Sequence, residues 1–62
     1  MAEIKVVVVD SFELARYGLR EILQSHPDFN CVATLSGGKE ALIFCETHQV
    51  DVILIDIALP QL

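Results

Sequence analysis

Val52-Ile53-Leu54-Ile55-Asp56-Ile57-Ala58-Leu59-Pro60 is the stretch whose reading decides the fold. An unbroken aliphatic run ends on one carboxylate and then, after Ile57-Ala58-Leu59, on a proline that continues neither a ladder nor a helix. Such a run predicts a strand buried on both faces. Asp56 at its end needs water, a cation or hydrogen-bond donors, because an ionised carboxylate is costly to bury alone. Ile4-Lys5-Val6-Val7-Val8-Val9-Asp10 has the same form, a β-branched run closed by an aspartate. With enough chain between them for a helix, the two strands can lie parallel in one sheet, their C-terminal ends side by side and about 4.8 Å apart if they are direct neighbours. Asp10 and Asp56 then share a small acidic pocket at the sheet edge where α/β proteins bind ligands.

The chain between these strands supplies the crossovers. Ser11 is a plausible N-cap, and Glu13 places a negative charge where the helix dipole favours it. Leu14, Ala15, Gly18, Leu19, Ile22 and Leu23 recur at three- and four-residue intervals, predicting an amphipathic helix over about 12–25 with Arg16, Arg20 and Gln24 on its solvated face. Gly18 costs that helix about 1 kcal/mol relative to alanine, which is explained either by close contact with the sheet or by plain tolerance. Phe29–Leu35 reads as a strand of more mixed polarity, placed at a sheet edge. Ser36-Gly37-Gly38 turns the chain, and Ser36 or Gly37 starts a second helix running to about His48. Ala41, Leu42 and Cys45 supply its inward stripe. Ile43 and Phe44 widen the apolar arc, either as a contact surface for a partner or, for Ile43, as an ordinary exposed side chain. His26 and His48 fall in last turns, where a cation is mildly favoured, and neither reads as a ligand. The fold class is therefore α/β, in the order β-α-β-α-β. Two right-handed crossovers give half of a doubly wound parallel sheet with strand order 2-1-3, in one domain over residues 1–62.

Composition narrows the function. Nine acidic residues against Lys5, Arg16, Arg20 and Lys39 give a net charge of −5, so the basic footprint of a nucleic-acid binder is missing. The apolar runs are too short for a membrane span and the N-terminus lacks the layout of a signal peptide, which makes a cytoplasmic setting the expectation. Cys31 and Cys45 form no C-x-x-C pattern and read as two buried reduced thiols. Hydrophobic residues make up 53% of the chain, above the roughly 45–50% usual for globular proteins, so a domain this small is expected to leave apolar surface for a partner, the alternatives being a loosely packed monomer or an aggregation-prone fragment.

Two carboxylates at adjacent strand ends can hold a hard divalent cation, act as an acid/base pair, or simply be solvated strand terminators. Mg²⁺ takes oxygen ligands and keeps several waters, so two acids and a backbone carbonyl suffice for weak binding. With a phosphoryl donor beside such an ion, one carboxylate can attack phosphorus in line and become an aspartyl phosphate.

Three blocks resemble the receiver domain of two-component response regulators, in the branch with a helix-turn-helix output domain (the NarL/FixJ group). Val6-Val7-Val8-Val9-Asp10-Ser11 resembles the family's first strand and acidic pair. Leu14-Ala15-Arg16-Tyr17-Gly18-Leu19-Arg20-Glu21 resembles that branch's first helix, and Asp56-Ile57-Ala58-Leu59-Pro60 resembles its phosphoacceptor motif, an aspartate followed four residues later by proline. Ser36 through Leu42 is similar to the entry into its second helix. The resemblance implies a flavodoxin-like fold, a signalling rather than enzymatic role, and a sensor histidine kinase as partner of any full-length parent. It implies Asp56 as phosphoacceptor, and Asp10, Asp56 and the backbone carbonyl of Ala58 as Mg²⁺ ligands. Ser11 stands where the family usually has a second aspartate, a weakened metal position. The Thr or Ser and the Lys of the family's later strands have no counterpart in these 62 residues, so the likeness is to the N-terminal half of the domain. Two other readings stay open: a half-domain or pseudo-receiver that homodimerises or pairs with a complementing half-domain, and a flavodoxin-like cofactor binder.

Overall fold

A computed structural model describes residues 3–56. The order is β1 (Ile4–Val9), α1 (Glu13–Gln24), β2 (Phe29–Leu35), α2 (Gly38–Thr47) and β3 (Val52–Ile55). The strands form one parallel sheet in the order β2-β1-β3, as the two hydrophobic runs and the crossover rule require. β1 is the centre of the molecule. Val6, Val7, Val8 and Val9 are each no more than 1% exposed, because both neighbours in the sheet and both helices pack around them. Val7 and Val9 meet Ala41 of α2, with Val32, Ala33, Leu35, Phe44 and Val50 packed around that cluster. Strand alternation puts Val6 and Val8 on the opposite face, the one α1 takes.

β3 departs from the expectation of a strand buried on both faces. Val52, Ile53, Leu54 and Ile55 are all exposed, between 37% and 43%. The reason is geometric: among the described residues β3 has β1 on one side only, and neither helix packs against it. An aliphatic run reports that a strand wants cover; it does not say whether the chain in hand supplies it.

The helices correct several side-chain assignments. Leu14 and Ile22, expected on the inward stripe of α1, are 69% and 62% exposed, because α1 leans over β2 and β1 and leaves its other flank open. Gly18 makes no close contact: a methyl group there would meet nothing within 4 Å, which favours tolerance over packing. In α2 the inward row is Ala41 and Phe44, one helical turn apart, while Leu42 points out with Ile43. His48 ends α2 and stacks on Phe44, ring centroids 4.0 Å apart. His26 lies just beyond α1 and meets Phe29 edge-on. Both cysteines are free thiols, Cys31 buried and Cys45 half-buried, and burial pushes the Cys31 thiol pKa up.

Candidate functional site

The two aspartates meet because β1 and β3 pair in register from Val6↔Val52 to Val9↔Ile55 without interruption. One residue further along each strand come Asp10 and Asp56. Their backbones are tied into the sheet: Asp56 donates its N–H to the Val9 carbonyl at 3.0 Å, and Asp10 donates its own to the Leu35 carbonyl at 3.0 Å. Both side chains are half-buried and open into a hollow of about 240 Å³ lined by Val9, Asp10, Leu19, Leu54, Ile55 and Asp56. The sequence placed both carboxylates at one sheet edge, and there they are.

Asp10 is held by more than its strand. Its Oδ1 accepts the Phe12 N–H at 2.8 Å, and its carbonyl accepts a hydrogen bond from Arg16 Nη1 at 2.7 Å. This arrangement replaces the expected Ser11 cap. Phe12 occupies the N-cap position with no side-chain capping bond, and the Asp10 carboxylate takes up the N–H just ahead of the helix, while Ser11 is exposed. Arg16 is likewise not on a solvated face. It is half-buried, its guanidinium turned back to the strand end. Arg20 is half-buried too, its guanidinium carbon 5.3 Å from the centre of the Tyr17 ring. Sequence spacing alone missed Arg16. The usable signal is its place in the first turn of a helix that starts only three residues after the strand ends, since long helical side chains point back toward the N-terminus.

Hard oxygen donors at two adjacent strand ends fit Mg²⁺, which needs few protein ligands and retains water. Among the described residues no group of three His, Cys, Asp or Glu side chains converges on one point. Ala58, whose carbonyl the resemblance implied as a further ligand, lies outside the described residues.

Comparisons of the sequence with known proteins point to one family. Response regulator UvrY of Escherichia coli (strain K12) is 40% identical over 57 residues, covering 92% of this chain and 26% of that protein. Transcriptional regulatory protein DegU of Brevibacillus brevis is 37% identical over 59 residues, covering 95% and 25%. Protein-glutamate methylesterase/protein-glutamine glutaminase 2 of Carboxydothermus hydrogenoformans is 37% identical over 62 residues, covering 100% and 18%. The chain thus spans about a quarter or less of the length of these curated relatives. No solved structure gives a significant match. The family model described as response regulator receiver domain matches residues 6–62, which takes in both helices and the whole of the sheet apart from Ile4 and Lys5 of β1, and the chain belongs to that family.

Proposed function

We propose that residues 1–62 carry the phosphoacceptor part of a receiver domain, with Asp56 as the residue that is phosphorylated. The observation that carries this reading is the uninterrupted β1–β3 register, which sets Asp56 beside Asp10 at the mouth of one hollow. Receiver domains typically bind Mg²⁺ and partner with histidine kinases. Here Asp10 and Asp56, with the Ala58 carbonyl, would hold the ion, and Ser11 would offer a neutral oxygen where a second charge strengthens binding. When bound, the ion neutralises charge on phosphoryl oxygens and so favours approach of an anionic donor to a carboxylate. An Asp56 carboxylate oxygen attacks phosphorus in line, the new O–P bond forms as the bond to the leaving group breaks, and the electron pair departs with that group. Leu19 and Leu54, at the wall of the hollow, limit water beside the reacting carboxylate. The kinase partner and the signalling role of any longer protein belong to this proposal. No described helix is long and apolar enough to cross a membrane.

Acetyl phosphate with Mg²⁺ should label the wild-type chain with a phosphoryl group labile to acid, base and hydroxylamine, and Asp56→Asn should remain unlabelled. Equal labelling of both, or none of the wild type, would remove the phosphoacceptor assignment for this chain.

A second reading has its own observation. All four β3 side chains are exposed, as are Leu14, Ile22, Leu42 and Ile43. A homodimer, or pairing with a complementing half-domain, would cover them, and an isologous two-fold contact along β3 is the simplest arrangement. Light scattering that finds a folded monomer at micromolar concentration, with no added partner protein, excludes the homodimer.

A further inference from the structure

We propose that Arg16 is a positioning residue for the cation-binding carboxylate: it fixes the strand-to-helix connection so that Asp10 presents one oxygen to the hollow. The proposal rests on the reading of Asp10 and Asp56 as the cation site and adds a residue outside that pair. Only Ser11 and Phe12 separate the acid from α1, and a connection so short would otherwise swing with the helix. Bonds at both ends stop it. The Asp10 N–H is held by the Leu35 carbonyl of β2 at 3.0 Å, and the Asp10 carbonyl by Arg16 Nη1 at 2.7 Å.

The consequence for the carboxylate is specific. With the Asp10–Ser11 peptide pinned, the Phe12 N–H falls 2.8 Å from Asp10 Oδ1 and occupies that oxygen, leaving Oδ2 as the oxygen these bonds do not use. The guanidinium suits the task, being planar, always charged and able to make a short charge-assisted bond to a carbonyl. Because Arg16 is itself in α1, the same bond ties the helix start to the strand end it follows. Its positive charge acts in the opposite sense, since a guanidinium near the acids disfavours a second cation. Positioning and charge therefore predict opposite signs when the side chain is removed.

Mg²⁺ titration of wild type, Arg16→Met and Arg16→Lys, followed by calorimetry and by Tyr17 fluorescence, separates the two. Loss of an outer partner of a ligand typically weakens metal binding by about 10–100-fold, so Arg16→Met should bind about ten-fold more weakly or worse, with Arg16→Lys between it and wild type. Equal or tighter binding by Arg16→Met overturns the proposal. A wild type that takes up no Mg²⁺ defeats the cation reading of the site, and amide exchange in the metal-free chain still decides the positioning claim. There the Phe12 N–H should exchange about ten-fold faster in Arg16→Met while the Val8 N–H is unchanged. Unaltered Phe12 exchange, or uniform acceleration that reaches Val8, also overturns it.

Discussion

Val7 and Ile53 are register partners, so their side chains stand next to each other on one face of the sheet, yet Val7 is 0% exposed and Ile53 43%. Truncating each to alanine turns that contrast into a number. Val7→Ala removes two buried carbons at about 0.8 kcal/mol each and leaves a cavity, for about 2–3 kcal/mol in all. Ile53→Ala removes three carbons, but at 43% exposure it retains only a little over half of their transfer value, about 1.4 kcal/mol, and the vacated space is open to water. The smaller residue should therefore cost more. Urea unfolding followed by circular dichroism at several protein concentrations measures both, against a total stability of roughly 3–9 kcal/mol for a domain of this size. If Ile53→Ala costs as much as Val7→Ala even at the lowest concentration, β3 is covered in the isolated chain and the reasoning fails. A cost that grows with concentration for Ile53→Ala alone identifies a second copy as the cover.

Other consequences are simpler. Gly18→Ala should stabilise the chain by up to about 1 kcal/mol, since the helix gains propensity and the new methyl meets nothing within 4 Å; destabilisation in the same urea experiment would show a contact that the structure lacks. Ser11→Asp should tighten Mg²⁺ binding in a calorimetric titration, because ligand charge count sets the affinity of such sites and Ser11 is exposed beside Asp10. Unchanged affinity would place Ser11 outside the site.

Much of this fold was legible in residue order because each step depended on local pattern. The two valine and isoleucine runs, the three- and four-residue spacing of α1 and the turn at Gly37 each carry their own signal, and the right-handed crossover rule then leaves strand order 2-1-3. What residue order did not show was set by tertiary geometry. Leu42 and Phe44 are equally apolar in sequence, and only the angle of α2 on the sheet decides that Phe44 goes in. Arg16 looked like surface decoration because its partner is a backbone carbonyl, which has no residue type to read. The burial of β3 was misjudged for a related reason: hydrophobicity describes the preference of a strand, while exposure depends on what else is folded beside it.

The position of Asp56 follows from features remote from it. A parallel pair slipped by one residue would move one acid by about 3.3 Å along the sheet and send every side chain of β3 to the other face. Four exposed aliphatic residues do little to forbid such a slip, since neither face of β3 is packed by a helix. The pairing of β1 with β2 is itself irregular, shifting between Val6 and Val7 so that Val32 is an extra residue in β2. On the β3 side the start of the strand is clamped instead. Asp51 donates its N–H to the Lys5 carbonyl at 2.9 Å and accepts the Lys5 N–H on Oδ2 at 2.8 Å, a side chain taking a place in the ladder one residue ahead of the strand. From that clamp the pairing runs unbroken to the bond between Asp56 and Val9, so an exposed acid at one end of β3 sets the register that brings the other acid to Asp10.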